Sequence, residues 1–350
     1  MKPAQWEIFK NAALGRNNGR VPLALIMDSP WIPGYLGLNH LDYYLDPETW
    51  FQANLKIHSE FPDDIIFIPS WWMEYGMAAE PSALGAKIKF WPDNTPGEAA
   101  MLFRIEDVEN LPPVDVGRDS YMALTLHRMR MARQRILDHG HTLPLVAARG
   151  PLCTAAFVRG ATEFMMDLVD KPDWARRLLD ITTNLIIDWL KAQAEAYGPT
   201  VDGFLLLDDI VGFVGGDTYR EFCHPCLKRI CDAFPKDWIK IYHNDASIEA
   251  CLEHLPDAGF HVLNWGKQTG IAAVRARVGN RLCLMGNVNP LEICVRGTPE
   301  EVRAATLDVL EKSGGENIIL STGGGLSPGT PRASILAMRE ALAEFNARKR

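Results

Sequence analysis

Eight short apolar runs recur along the chain, and each ends in polar residues or glycine. They consist mostly of Ile, Leu and Val without strict alternation with polar residues, which is typical of strands buried on both faces of a parallel sheet. The runs cover residues 23–28, 64–69, 144–150, 202–209, 239–245, 261–266, 281–288 and 317–325. The pattern therefore predicts eight parallel strands.

Helical patterns separate these runs in the second half of the chain. They cover residues 173–197, 218–234, 247–255, 271–278, 299–312 and 332–348. Eight alternating units close naturally into a barrel, whereas an open doubly wound sheet more often has about six strands. We therefore predict an α/β fold of the (β/α)8 TIM barrel class, forming a single domain over residues 1–350.

Two insertions interrupt the alternation, at residues 30–46 after the first strand and at residues 69 to about 119 after the second. Both are rich in Trp, Tyr, Pro and Gly. Loops that follow the strands of a barrel lie on its C-terminal face, where active sites are built. We expect these extended loops to cover the pocket.

Composition narrows the possible partners. The net charge of −8 makes a nucleic acid or an anionic membrane an unexpected main partner, and the sequence contains no long uncharged apolar run. A cytoplasmic protein is expected.

The seven cysteines are expected to be reduced and mostly buried. The cluster Cys223-His224-Pro225-Cys226 has the composition of a zinc site but lacks a second matched pair, so packing is the favoured interpretation.

Residues at the C-terminal ends of barrel strands converge on one site whatever their separation in sequence. The polar and aromatic residues at these positions are Asp28, Trp71, Trp72, Glu74, Arg149, Asp208, Asp209, His243, Asp245, Asn264, Asn287, Asn289 and the glycines 323–325. The predicted active site is drawn from this set.

Several of these segments together carry a family resemblance. They are AAEPSALGAKI (78–88), RGPLCTAAFVRGATEFMMDLVDKP (149–172), His243-Asn244-Asp245, GNVNP (286–290), GTPEEV (297–302) and STGGGLSPGTP (321–331). In order and spacing the chain resembles the uroporphyrinogen decarboxylase superfamily, and within it the zinc methyltransferases that exchange methyl groups with a corrinoid protein. The resemblance implies a methyltransferase acting between a small methylated compound, an aryl methyl ether or a methylated amine, and a corrinoid carried by a separate protein. Homodimers are common among such relatives.

The chain departs from the decarboxylases in the loop after the first strand. Those enzymes bind a substrate with eight carboxylates through arginines in this loop, but no arginine occurs between Arg20 and Arg104. The loops carry aromatic residues instead. Together these favour a flat or methylammonium substrate, and for any single ring the alternative is ordinary packing of the loop. The predicted substrate contacts are Trp31, Trp71, Trp72, Glu74, Asn264, Asn287 and Gly324.

The zinc ligands implied by the resemblance are only partly present. That branch has a His-x-Cys at the end of the fifth strand and a Cys in the final glycine-rich turn; here the positions hold His243, Asp245 and glycine. We expect a divalent metal, with zinc as the candidate, held by His243, Asp245 and Asp208. Asp209 and Glu221 are further candidate ligands, with a helix cap and a solvated surface as their alternatives.

The catalytic candidates are His243, Asp208, Asp28 and Arg149. Arg149 either clamps a substrate carboxylate or forms an ion pair at the barrel rim. The glycine run either allows close approach of a substrate or partner to the backbone or is a tight turn. The sequence favours a methyltransferase; the alternatives are a decarboxylase of a smaller carboxylate substrate and a non-catalytic ligand-binding relative.

Overall fold

The computed structural model describes residues 1–17 and 19–349, and it contains the eight expected strands. They are β1 Leu23–Ile26, β2 Ile65–Ile68, β3 Leu145–Arg149, β4 Gly203–Leu207, β5 Ile239–Asn244, β6 Val262–Trp265, β7 Cys283–Val288 and β8 Ile318–Thr322. Every strand lies within one of the apolar runs and all paired neighbours are parallel. The prediction of a (β/α)8 barrel is confirmed.

The barrel has one seam. Hydrogen-bonded neighbours follow the order β2-β1-β8-β7-β6-β5-β4-β3, so β2 and β3 are the two ends of the sheet. Side chains satisfy the free edge of β3: the Gln193 amide donates to the Ala147 carbonyl at 2.9 Å and accepts from its N–H at 3.5 Å. The Glu80 carboxylate accepts the next edge N–H, that of Arg149, at 2.9 Å. These two side chains take the place of a strand partner.

Helices surround the sheet and fill the insertions. The α-helices are Pro3–Ala13, Trp31–Leu36, His40–Leu45, Pro47–Glu60, Ala79–Ala83, Ser120–Asp138, Pro151–Arg159, Ala161–Asp170, Pro172–Tyr197, Gly216–Thr218, His224–Asp232, Leu255–Ala258, Ile271–Val278, Pro299–Ser313 and Arg332–Arg348. Single 3-10 turns lie at Ile105–Asn110, Asp209–Phe213 and Leu252–His254, and π turns lie at Tyr219–Cys223 and Pro290–Val295. The second insertion also holds an antiparallel hairpin of Lys87–Lys89 and Gly97–Ala99.

The predicted helix at residues 247–255 is wrong, because helical structure there begins only at Leu252. Upstream, the Asn244 side chain accepts from the Ala246 N–H at 2.8 Å and donates to the Ser247 carbonyl at 3.3 Å. The Ser247 hydroxyl accepts from the Glu249 N–H at 3.3 Å. Short polar side chains thus bond the backbone groups that a helix would need.

Alternate residues of the strands face two different cores. In β4, Leu205 and Leu207 belong to the core inside the barrel, whereas Phe204 and Leu206 pack against the outer helices. The helix Pro3–Ala13 adds Trp6 and Phe9 to the inner core. Residues that continue the inward register past the strand ends therefore point into the mouth of the barrel.

All seven cysteines are buried and free, as expected. Within the part of the chain that the structure describes, no helix is both long and apolar enough to span a membrane.

Candidate active site

His243, at the end of β5, lies between two carboxylates. Its Nε2 atom is 3.5 Å from Asp245 Oδ1 and 3.7 Å from Asp209 Oδ1. Asp209 Oδ1 also accepts the Asp245 N–H at 2.7 Å, which ties the two acidic residues together. Burial opposes the charge on the imidazole, but the neighbouring Asp245 and Asp209 outweigh it and raise the pKa of His243 to about 9. The ring is therefore a cation at neutral pH.

The glycine run brings the backbone against the chain's own carboxylates. A Cβ at Gly324 would lie 2.4 Å from Asp245 Oδ1, and one at Gly325 would lie 2.9 Å from Asp28 Oδ2. Gly324 also has a φ of +119°, which L side chains rarely adopt. The close approach expected at these glycines is thus made within the chain, and it leaves room for two acids at the barrel mouth.

A second group of charges surrounds Arg149 at the end of β3. Its guanidinium lies 3.3 Å from Glu74 and 5.4 Å from the centre of the Trp72 ring. Glu74 also accepts from the N–H and hydroxyl of Ser29, at 3.1 and 2.8 Å. The side chains of Arg149 and Glu74 are only 14% and 6% exposed, so their contact is a buried ion pair at the rim of the barrel.

Asp28 lies between the two groups. Burial and the nearby Glu74 raise its pKa to about 7, against the opposing charges of Arg149 and His243. Its Oδ1 atom is buried and has no hydrogen-bond partner. At neutral pH Asp28 is therefore a carboxyl that is close to half protonated and has a free oxygen.

Asp208 does not join this arrangement, which corrects its predicted role as a catalytic residue and metal ligand. It continues the outward register of β4, and its carboxylate accepts the N–H groups of Cys153 and Leu152 at 2.7 and 3.3 Å. It therefore caps the helix that begins at Pro151. Burial raises its pKa to about 7 although the N–H donors oppose this. Its contact with His243 is made by the backbone: the Asp208 N–H donates to the His243 carbonyl at 3.0 Å.

The loop tryptophans divide between packing and the site. Trp31 and Trp71 are fully buried, and their indole N–H groups donate to the Thr330 carbonyl at 3.0 Å and to His141 Nδ1 at 2.7 Å. Only Trp72 of the three predicted contacts packs onto the inner core, beneath Arg149. The structure therefore brings one tryptophan to the mouth of the barrel.

The two predicted asparagine contacts are occupied by the protein itself. Asn264 is fully buried, with its amide bonded to His243, Met285 and Thr322. The Asn287 amide donates to the Thr269 carbonyl at 3.1 Å and fixes the loop after β6. Both groups of the Asn264 amide, and the amide nitrogen of Asn287, are thus used within the protein.

The residues present do not fit the thiolate zinc centre that the resemblance implies. Asp245 replaces the first cysteine, and its carboxylate fills the space in which a side chain at Gly324 would lie. Glu221, on the exposed surface, is ion-paired with Arg176. Across residues 1–17 and 19–349, no group of three or more His, Cys, Asp and Glu side chains is arranged to hold a metal ion.

Sequence reasoning missed some of the residues that build the site. Asp209 is predicted as a strand-end residue and a further candidate ligand but not as a catalytic neighbour of His243, although β4 places it inward and Asp208 outward. Glu80 and Gln193 were not identified at all, because they come from an insertion and from a helix and meet β3 only in three dimensions. The register of β4 identifies Asp209 only once the packing shows that Leu205 and Leu207 face inward, and no local sequence signal identifies the other two.

Comparisons with known proteins agree with this architecture. The family model described as Uroporphyrinogen decarboxylase (URO-D) matches residues 8–345. A uroporphyrinogen decarboxylase of Coxiella burnetii (strain Dugway 5J108-111) is 25% identical over 97% of this chain and 94% of its own length. This relative is therefore an enzyme of the family that the model describes.

Methyltransferases are also among the similar proteins. The methylcobamide:CoM methyltransferase MtaA of Methanosarcina barkeri is 26% identical over 67% of each chain. The solved structure of a methyltransferase from Methanosarcina mazei superposes with a TM-score of 0.82, at 20% identity, over 96% of this chain and 97% of that one. The family match spans nearly the whole sequence, and the chain belongs to the uroporphyrinogen decarboxylase family.

Proposed function

We propose that this protein transfers a methyl group from a small methyl ether to a corrinoid carried by a separate protein. The observation that carries the proposal is the position of His243 at the mouth of the barrel between Asp209 and Asp245, whose charges raise its pKa to about 9. The similarity to methyltransferases supports the reaction class. In this proposal His243 is the acid, and Asp28, Arg149, Glu74 and Trp72 form the adjoining surface.

The protonation state of His243 favours an ether as the methyl donor. When the C–O bond of an aryl methyl ether breaks, its electron pair stays on oxygen, and a proton donor stabilises that oxygen. A quaternary ammonium donor leaves as a neutral amine and needs no proton. A protonated His243 therefore contributes nothing to breaking that C–N bond, and the site suits the ether better.

The direction of transfer follows from the same group. Transfer of a methyl group to an acceptor such as a thiol needs a base that removes the acceptor's proton, and a histidine with a pKa of about 9 is already protonated at neutral pH. Demethylation of an ether needs an acid. The site therefore favours transfer away from the small compound.

Each neighbour of His243 has a task in this reaction. The two Nε2–carboxylate distances, 3.5 and 3.7 Å, exceed the roughly 2.9 Å of an ordinary N–H···O bond, so a substrate oxygen can compete for the proton. Asp245 and Asp209 keep the imidazole charged. Their side chains are 53% and 40% exposed whereas that of His243 is 5% exposed, so in this proposal a substrate reaches Nε2 from the side of the two carboxylates. The corrinoid of the partner protein supplies the nucleophile that takes the methyl carbon.

A decarboxylase of a smaller carboxylate is the second candidate, because the similarity to a uroporphyrinogen decarboxylase covers 97% of the chain. The charges disfavour it. Arg149 is already paired with Glu74, and Asp28, Asp209 and Asp245 lie at the same mouth. An added carboxylate would meet several like charges and no unpaired arginine.

The test offers three compounds to the purified protein together with free cob(I)alamin: 2-methoxyphenol, tetramethylammonium and benzoate. We expect catechol to form from 2-methoxyphenol, with one methylated corrinoid for each catechol. Carbon dioxide release from benzoate without the corrinoid would favour the decarboxylase. Absence of product from all three would contradict the proposal and favour a ligand-binding relative.

A further inference from the structure

Asn264 makes contacts that fix the orientation of its amide. It lies on β6 directly beside His243 in the strand register, and it is fully buried. Its Nδ2 atom donates to the Met285 carbonyl of β7 at 2.7 Å and to the Thr322 carbonyl of β8 at 3.0 Å. Both amide hydrogens are thereby used, and the oxygen can only face the other way.

The fixed amide determines which nitrogen of His243 is the permanent donor. Asn264 Oδ1 lies 2.7 Å from His243 Nδ1, and because an amide oxygen only accepts, Nδ1 must carry a hydrogen. The ring is then held with Nε2 toward Asp209 and Asp245. Three strands, β6, β7 and β8, thus act through one side chain on the geometry of the histidine.

We infer that Asn264 is a positioning residue, which locks a hydrogen on Nδ1 of His243 and presents Nε2 to the substrate. The inference rests on the proposed role of His243 as the acid. It replaces the predicted substrate contact at Asn264, because every polar group of that side chain is bonded within the protein.

A second asparagine provides a matched control for a purely structural role. The Asn346 amide also bridges backbone groups, accepting the Val21 N–H at 3.1 Å and donating to the Val21 carbonyl at 2.9 Å. It contacts no histidine in these bonds. Replacing it removes the same kind of amide bridge without touching the His243 ring.

The test compares Asn264→Leu, Asn264→Asp and Asn346→Leu. Asn264→Leu has similar volume but no acceptor, and we expect kcat to fall about 10- to 100-fold, the usual effect of losing a residue that orients a catalytic or metal-bound histidine. Asn264→Asp keeps an acceptor for Nδ1, although a carboxylate cannot donate to Met285 and Thr322. Asn346→Leu should lower the melting temperature and leave kcat within about twofold of the parent.

The decisive readout is independent of the reaction. In proton–nitrogen spectra of protein with labelled histidine, we expect a slowly exchanging Nδ1 proton that is absent from His243→Gln. This proton should persist in folded Asn264→Asp, even if that variant has a lower melting temperature than the parent. It should disappear in Asn264→Leu.

An unchanged Nδ1 proton in Asn264→Leu would overturn the inference, whether or not methyl transfer is observed. If Asn264→Leu does not fold, loss of the Nδ1 proton from folded Asn264→Asp overturns it equally. A retained proton with no methyl transfer in the parent protein would instead count only against the proposed function.

Discussion

The carboxylate of Asp245 occupies the space in which a side chain at Gly324 would lie, since a Cβ built there comes within 2.4 Å of Asp245 Oδ1. Gly324, in the turn after β8, and Asp245, just after β5, therefore pack directly against each other. Because Asp245 in turn lies 3.5 Å from His243, the glycine helps to set the environment of the proposed acid.

Gly324→Ala is expected to displace the Asp245 carboxylate and to reduce kcat/KM by on the order of 100-fold, as misplacement of about 1 Å can do. The matched control is Gly329→Ala, which has a positive φ of +88° but meets only Val295 at 3.5 Å. Steady-state kinetics of the two variants check this. Equal losses in both would mean that backbone strain alone is responsible.

The adjacent acids Asp208 and Asp209 are expected to separate stability from catalysis. Asp208→Ala removes the carboxylate that accepts from Leu152 and Cys153, and it should lower the free energy of unfolding by about 1–2 kcal/mol. Asp209→Ala removes a half-exposed acceptor of the Asp245 N–H, so it should cost less, no more than about 1 kcal/mol, and should lower kcat. Urea denaturation and kinetics measure both effects, and the reverse pattern would refute the assignment of the two residues.

The seam of the barrel provides a test of the fold. Gln193→Leu leaves the N–H and carbonyl of Ala147 without their side-chain partner, which should cost about 2–3 kcal/mol of unfolding free energy. Lys191→Ala, on the exposed side of the same helix, is the control. If chemical denaturation finds the two variants equally stable, Gln193 does not replace a strand partner.

The pH dependence follows from the raised pKa of His243. Its acid form is present below about pH 9, so activity should hold at neutral pH and fall as pH rises through about 9. Asp245→Asn removes the nearer carboxylate, which lowers the pKa of His243 and should move this decline to lower pH. Profiles of kcat/KM measure the displacement. A decline at the same pH in both proteins would show that another group titrates.

The same raised pKa contributes to stability with a definite sign. A histidine whose pKa is higher in the folded than in the unfolded protein stabilises the fold fully below its ordinary pKa of 6.5, and this contribution is lost as pH rises through about 9. His243→Gln is therefore expected to flatten the stability profile between these values. Unfolding measured at several pH values checks the prediction.

The strands were predictable because burial on both faces leaves an unmistakable apolar run, and the barrel followed from their number. The place of His243 and Asp245 was also predictable, since a strand end fixes both the face and the edge of the sheet. Asp208 was not placed correctly because the run 202–209 does not show which of two adjacent aspartates keeps the inward register. Only the packing of Leu205 and Leu207 inside the barrel decides this.

The contacts of the site depended on information that local patterns do not contain. Trp71 and Trp72 look equivalent in the sequence. In the structure, however, Trp71 is buried and bonded to His141, whereas Trp72 lies beneath Arg149. The sequence likewise cannot show that the amide of Asn264 is used by three strands. Such assignments require the distances between segments that are far apart in the chain.

The dependence of the rate on the leaving phenol tests the central claim, that His243 protonates the ether oxygen, most directly. Methoxyarenes whose phenols span several pKa values are demethylated by the parent protein and by His243→Gln, with cob(I)alamin as acceptor. The advantage of the parent is expected to grow steadily as the phenol becomes more basic, because a more basic oxygen gains more from a proton donor. A parent-to-variant rate ratio that stays constant across the series would contradict the claim.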